Sequence, residues 1–448
     1  MARLFGTDGV RGIANENLSC DMAFKLGQAG AYCLTNAVHK AKILIGRDTR
    51  ISGDMLESAL VAGITSVGAE AVVAGVIPTA AVAFLTLRYD MDAGVMISAS
   101  HNTVEYNGIK FFSSKGYKLP DAVEDRIEDI ILNGSEQIKL PTGEGIGRRV
   151  RAKNAKEEYI EHLVESTKEN FAGIRVVLDC ANGAASRVAP EVFSRLGAEV
   201  MPLYNVPDGT NINDNCGSTH PMNLSRAVTE RGADLGLAFD GDSDRLIAVD
   251  EHGSIVNGDQ IMAVCALDMK QRGLLKQDTL VATVMSNLGL ELGLKQAGIR
   301  LEKTKVGDRY VLEEMLKSGY NLGGEQSGHI IFLDGNTTGD GILSGVQLLS
   351  VMKRAGKPLS RLAKVIDILP QVLVNAKVSE QKKYDYDQDE VILKEIRELE
   401  KQFEGQGRVL IRTSGTEPLV RVMIEGKDKD YIARQAVRMA QLVEERLK

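Results

Sequence analysis

Apolar residues recur along the chain in short runs, each closed abruptly by a polar cluster and followed by a stretch of helical period. Ile43-Leu44-Ile45 leads into Gly46-Arg47-Asp48-Thr49-Arg50. Leu56, Leu60, Ile64 and Val67 then recur near one face until Gly68, before the next run, Ala71-Val72-Val73. Val176-Val177-Leu178 leads into Asp179-Cys180-Ala181-Asn182-Gly183, a helix to Leu196-Gly197, and then Glu199-Val200-Met201. Leu280-Val281-Ala282-Thr283-Val284 passes Ser286-Asn287, runs as a helix to Ala297-Gly298 and resumes at Ile299. Strand, polar loop, helix, glycine cap, strand is the βαβ pattern of a parallel sheet. Three copies in order predict three related α/β domains with mixed or parallel sheets.

The pattern changes near Leu369-Pro370. Val372-Leu373-Val374, Arg408–Arg412 and Leu419–Ile424 read as strands. Val391, Ile392, Glu395, Ile396 and Leu399 mark an amphipathic helix, and the tail from Lys429 is helical. This predicts a smaller α+β C-terminal domain. The Gly- and charge-rich segment from Asn133-Gly134 to Arg151 reads as a linker, and another break falls near Val256-Asn257-Gly258. The expected domains are 1–150, 151–256, 257–369 and 370–448. A chain of 448 residues is long enough for three or four cores.

Composition narrows the class. Hydrophobic residues make up 44% and charged residues 26%, as in soluble globular proteins. A net charge of -7 argues against a nucleic-acid binder, though not against a local anion pocket. Cys20, Cys33, Cys180, Cys216 and Cys265 form no CxxC pair, so neither a disulfide framework nor a zinc site is indicated, and a reducing cytoplasm fits. No signal peptide and no membrane span is legible.

The chemistry lies in loops. Ala93-Gly94-Val95-Met96-Ile97 reads as a buried strand that ends in Ser98-Ala99-Ser100-His101-Asn102. Ligands bind at that edge of an open α/β sheet. Alone, the hexapeptide also describes a serine-rich turn. Asp240-Gly241-Asp242-Ser243-Asp244-Arg245 follows another apolar run. Carboxylates at alternate positions on a tight loop suit a hard cation such as Mg²⁺, or form a solvated acidic turn. A preceding strand, not a helix, disfavours an EF-hand. Arg412-Thr413-Ser414-Gly415-Thr416-Glu417-Pro418, with Arg421 beyond, offers hydroxyls, amides and guanidiniums to a phosphate. Gly324-Glu325-Gln326-Ser327-Gly328-His329 carries a carboxylate, an amide, a hydroxyl and an imidazole, suited to sugar hydroxyls. Gly6-Thr7-Asp8-Gly9-Val10-Arg11-Gly12 is neither a P-loop nor GxGxxG; its useful group is Arg11, a cation for the nucleophile.

Together these motifs, with Asn107-Gly108-Ile109-Lys110, resemble the α-D-phosphohexomutase family over the whole chain. The opening and the Ile-Ser-Ala-Ser-His-Asn loop favour its glucosamine branch; a phosphomannomutase or phosphoglucomutase is the alternative. Thr103 and Ser243 depart from the family pattern, where proline and glycine are usual. The resemblance implies four domains, a phosphoserine at Ser100, and one Mg²⁺ held by Asp240, Asp242, Asp244 and the phosphorylated Ser100. It implies an isomerase interconverting glucosamine 6-phosphate and glucosamine 1-phosphate for cell-wall precursors, with a sugar 1,6-bisphosphate as intermediate and activator. Arg11, His101, Lys110 and His329 are the candidates for proton transfer and charge stabilisation. A neutral Lys110 would need a depressed pKa, which Arg11 could supply. Arg245, Glu325, Ser327, Arg412, Ser414, Gly415, Thr416 and Arg421 would bind substrate. A homodimer is compatible with this reading. It leaves open whether a kinase or the protein itself first phosphorylates Ser100. A metal-dependent phosphatase and a non-catalytic phosphosugar sensor are the readings from other classes. The remote phosphate loop argues against the first, and the intact serine and aspartates against the second.

Overall fold

The chain was analysed as a computed structural model, which describes residues 4–6, 8–34, 40–134, 136–413 and 418–448. It forms two compact units: Met1–Met285 with Ile299–Lys364, and Ser286–Gly298 with Val365–Lys448.

The first unit contains three sheets. The first is built from β1 (Val10–Ile13), β2 (Lys42–Arg47), β3 (Glu70–Val76), β4 (Ala93–Ile97), β5 (Tyr106–Ser113) and β6 (Arg149–Arg151), in the order β1-β5-β4-β2-β3-β6. The second holds β7 (Arg175–Asp179), β8 (Glu199–Leu203), β9 (Leu235–Phe239), β10 (Leu246–Asp250) and β11 (Ile255–Val256), ordered β11-β10-β9-β7-β8. The third holds β12 (Thr279–Thr283), β13 (Arg300–Thr304), β14 (Leu322–Gly324) and β15 (Ile330–Phe332), ordered β13-β12-β14-β15.

One four-strand motif recurs in all three. A central strand (β2, β7, β12) pairs in parallel with its successor (β3, β8, β13) and with the next strand (β4, β9, β14). A fourth strand (β5, β10, β15) then returns antiparallel. The repeat legible in the sequence is therefore a repeat of topology. Helices cover the parallel strands, so β4 and β9 are buried at every residue and read as unbroken apolar runs.

The segment expected to be a linker contributes to the first sheet instead. β6 pairs in parallel with β3, with Val150 opposite Val72, and the Gly147 amide donates to the Thr65 carbonyl at 2.9 Å. Three residues are too few to show a period, so composition alone misread them.

The second unit has an antiparallel sheet of β16 (Gln371–Lys377), β17 (Gly407–Thr413) and β18 (Leu419–Gly426), ordered β16-β18-β17. Helices Glu390–Gln402 and Lys429–Arg446 supply its α component, and their apolar stripes join the strand residues Val409, Val420, Val422 and Ile424 in one core. Helix Leu288–Gln296 belongs here through buried Glu425, which accepts from the Leu288 amide (3.1 Å), Asn287 Nδ2 (3.2 Å) and Arg408 Nε (2.5 Å). Among the described residues, no helix is long and apolar enough to cross a membrane.

Candidate active site

Each of the three repeats places its chemistry at the same point. The loop between the third parallel strand and the antiparallel strand carries Ser100 in the first domain (β4 to β5). In the second it carries the three aspartates (β9 to β10), and in the third Glu325 to His329 (β14 to β15). These turns interrupt a buried strand at its carboxyl end, where polar side chains can meet a ligand.

Ser100 is 1% exposed and adopts φ +55°, the left-handed region. Its Oγ donates to Asp240 Oδ2 at 2.6 Å and lies 3.2 Å from His101 Nδ1. Its amide donates to Ser98 Oγ (2.9 Å), which donates to Asp48 Oδ2 (2.6 Å). Arg50, fully buried, pairs with Asp48 through Nε at 2.9 Å and donates to the carbonyls of Ser100, Asn102 and Thr103. Thr103 thus leaves the loop well held despite the absence of proline.

Asp240, Asp242 and Asp244 are buried, and one oxygen from each falls within 4.8 Å of the others. Ser243 supplies the turn at φ +63°, a conformation that glycine adopts at lower cost. Asp242 Oδ2 accepts from Thr79 Oγ1 (2.7 Å) and Lys110 Nζ (2.8 Å). Asp240 Oδ1 accepts from the Arg245 amide at 3.2 Å. Asp242 Oδ1 and Asp244 Oδ1 are buried with no hydrogen-bond partner. Burial and the two neighbouring carboxylates hold Asp240 well above the usual carboxylate range. Burial acts the same way on Asp244, but Lys110, His329 and Arg245 outweigh it and hold Asp244 below that range. Three carboxylates this close cannot all ionise without another cation, and two of their oxygens lack a donor. The donor set fits one hard divalent ion.

The surroundings of Lys110 favour charge stabilisation over proton transfer. Burial works against its charge, but Asp242, Asp8 and Asp244 outweigh burial and raise its pKa. Its ammonium lies 2.8 Å from Asp242 and 3.0 Å from Asp8. Lys110 is an ion-paired cation, and the neutral amine is not supported; Arg11, itself paired with Asp8, does lower its pKa, but less than the carboxylates raise it. His101 is held neutral, lowered to about 4 by burial and by the Arg245 and Arg11 cations. His329 moves the other way. Burial opposes its charge, yet Asp244 (3.5 Å from Nδ1) and Asp308 (3.4 Å from Nε2) push it up to about 9. The Gly339 amide also points at Nε2 from 3.2 Å, a contact only a neutral ring accepts. Two flanking carboxylates outweigh one amide dipole, so the ring is read as the cation.

The third-domain loop is seated on the metal loop's strand. Arg245 and His329 form a backbone bridge, and the Leu246 amide donates to the Gly328 carbonyl at 3.0 Å. Gly328 has φ +94°, and a Cβ there would stand 2.1 Å from the Leu246 carbonyl, so a side chain is excluded. Glu325 is half-buried and Ser327 exposed. In the second unit, Arg412 and Arg421 face one another across the β17–β18 ladder. Burial and Arg421 both push Arg412 down. Like charges opposite one another on adjacent strands repel, and a phosphate beside both would offset that repulsion. Ser414, Gly415 and Thr416 lie outside the described residues.

Sequence reasoning missed Asp48, Arg50, Thr79, Asn213, Lys118 and Asp308. Asp48 and Arg50 had a signal, a polar run closing β2, but it was read only as part of the repeat. Lys118 joins Asp8 and Asp308, each at 2.6 Å, across two domains, which no local motif announces.

Family profiles match the chain in four consecutive parts. They are described as Phosphoglucomutase/phosphomannomutase, alpha/beta/alpha domain I over residues 2–138, domain II over 157–253, domain III over 257–368, and the C-terminal domain over 373–442. The phosphoglucosamine mutase of Ruminiclostridium cellulolyticum is 62% identical over 448 residues, covering 100% of both chains. A phosphoglucomutase/phosphomannomutase family protein from Burkholderia thailandensis has a similar structure, with a TM-score of 0.80, 24% identity and 98% of each chain covered. The N-acetylphosphoglucosamine mutase of Aspergillus fumigatus, in complex with GlcNAc-6P and magnesium, matches with a TM-score of 0.69 and 17% identity, over 99% of this chain and 96% of that one. At those identities the two structures speak for the fold.

Proposed function

The chain belongs to the phosphoglucomutase/phosphomannomutase family, and on that premise we propose that it interconverts glucosamine 6-phosphate and glucosamine 1-phosphate through a phosphoserine at Ser100. It is an isomerase acting as an intramolecular phosphotransferase. The observation that carries the reading is the buried Ser100 Oγ, 2.6 Å from one of three clustered aspartates.

In this mechanism Asp240, Asp242 and Asp244 would hold Mg²⁺ together with the phosphorylated Ser100, and the ion would offset phosphate charge and polarise phosphorus. The sugar 1-hydroxyl attacks that phosphorus; its bond to O1 forms as the bond to Ser100 Oγ breaks, and the hydroxyl proton passes to a base. The product of this half-reaction is the 1,6-bisphosphate. It turns over in the site, and Ser100 Oγ takes the 6-phosphoryl group, releasing glucosamine 1-phosphate. Lys110 and Arg11 stabilise the charge that spreads over the transferring oxygens. His101 Nδ1, 3.2 Å from Ser100 Oγ, is placed to exchange its proton. Glu325, Ser327 and Arg245 read the sugar, and His329, a buried cation between Asp244 and Asp308, contributes to charge stabilisation. Arg412 and Arg421, with Ser414, Gly415 and Thr416, bind the phosphate that is not reacting.

The test is turnover of the 6-phosphates of glucosamine, glucose and mannose by one preparation, with and without sugar 1,6-bisphosphate. Preference for the amino sugar is expected. Equal or better use of mannose or glucose 6-phosphate would move the chain to the other branch, and release of inorganic phosphate in place of isomer would make it a phosphatase.

A further inference from the structure

Ser100 is held at φ +55°, a left-handed conformation unfavourable for serine. Two side chains from different domains grip the same two carbonyls beside it. Arg50 Nη2 donates to the Ser100 carbonyl at 3.0 Å and to that of Asn102 at 2.7 Å. Asn213 Nδ2 donates to the same pair, at 2.9 Å each. Both N–H bonds of the Asn213 amide are thereby used.

Asn213 is itself fixed. It lies in the segment 204–221, which has no helix or strand, yet it is only 5% exposed. Its backbone N–H donates to the Ala181 carbonyl at 2.9 Å, and its own φ is +57°, which asparagine tolerates better than most residues. Gly241, between two of the aspartates, packs on the clamp. A Cβ there would stand 2.6 Å from the Ser100 carbonyl and 3.0 Å from Asn213 Nδ2. The same amide therefore touches the serine loop and the floor of the aspartate loop.

We propose that Asn213 is a positioning residue for phosphoryl transfer: with Arg50 it clamps the Ser100 and Asn102 carbonyls, and so fixes Ser100 Oγ against the aspartate cluster. The inference rests on the reading of Ser100 as phosphoryl carrier. Arg50 grips the serine loop from within its own domain, and its neighbours Thr49 and Ile51 bond the second domain at the Asn182 and Gly209 carbonyls. Asn213 grips the same two carbonyls from the second domain itself, beside Gly241 of the aspartate loop.

Two variants of the full chain separate positioning from folding. Asn213→Gly keeps the positive φ and removes the amide. Asn213→Asp keeps the shape but turns acceptors toward two carbonyl oxygens. Each is compared with the parent chain for phosphate on Ser100 by intact and peptide mass, for single-turnover transfer to glucosamine 6-phosphate, and for KM. Asn213→Gly is expected to slow transfer 10- to 100-fold per loaded site, with KM within twofold and the melting transition retained. Asn213→Asp should be slower still; if it does not fold, the glycine variant decides. Transfer at the parent rate in Asn213→Gly overturns the clamp. So does a loss that runs through KM, or an unfolded glycine variant, because either would make the role binding or structure. A parent chain that turns over with Ser100 never phosphorylated is a different failure: it removes the carrier reading, and the clamp with it.

Discussion

Arg412→Met should move affinity and stability in opposite directions. Arg412 stands directly across the ladder from Arg421, and its Nε is buried with no hydrogen-bond partner. Methionine keeps an unbranched stem against the sheet and removes the charge. If the pair holds the idle phosphate, the variant loses a charge-assisted hydrogen bond, about 1.5–3 kcal/mol, or roughly 10- to 150-fold in substrate affinity. Cross-strand pairs are worth roughly 0.2–1 kcal/mol, so relieving two like charges should leave stability unchanged or raise it by a few tenths. A loosened hold on the bisphosphate should also let it escape before the second transfer. The assay loads Ser100 with phosphate, adds glucosamine 6-phosphate and compares bisphosphate in solution with the 1-phosphate formed. A urea titration of the same protein reads stability. Parent KM with no extra bisphosphate would refute the phosphate role. So would a fall in stability matching the fall in affinity, which is what a merely structural arginine would give.

Other perturbations follow from the same geometry. Asp242→Asn should abolish most activity while the circular dichroism spectrum persists, and calorimetric Mg²⁺ titration should show weakened binding; unchanged Mg²⁺ affinity would contradict the assigned ligand set. Arg50→Met leaves the Asp48 carboxylate buried without its cation and should cost about 3–5 kcal/mol. Adding Asp48→Asn should recover much of that loss, and strictly additive single-variant costs would show that the pair is not coupled. Asp179 is buried at the end of β7, accepts the amides of Ala181 and Gly217, and is pushed up to about 6 by burial. Its neutral form is the one favoured by folding. Between the folded value and an unfolded one near 3.8, the folded protein therefore binds a proton that the unfolded chain does not. Stability should accordingly rise as pH falls from about 6 to about 4, relative to Asp179→Asn, and parallel pH profiles would dismiss the effect.

The fold was largely legible because its signal is local and repeated. An apolar run, a polar break and an amphipathic helix recur three times, and β2, β7 and β12 fall on those runs. β6 was hidden because an exposed three-residue edge strand has no period and little apolar content. The site was legible where its residues are contiguous. Ser100, the three aspartates and the Glu325–His329 loop each close a buried strand, so sequence spacing alone brings their groups together. For Lys110 the sequence left proton transfer and charge stabilisation both open, since its charge depends on Asp242 and Asp8, distant in sequence. Asn213 could not be found. It sits in an irregular segment, and its importance is a contact with a carbonyl of another domain.

The central claim is that Ser100 carries the transferred phosphoryl group. Protein labelled with radioactive phosphate, mapped to the peptide containing Ser100, should be mixed with one equivalent of unlabelled glucosamine 6-phosphate. Label should leave the protein into the bisphosphate and then into hexosamine phosphate, at a rate compatible with turnover, and Ser100→Ala should show neither labelling nor activity. Label that stays on Ser100 while that equivalent is converted, or an active Ser100→Ala, would contradict it.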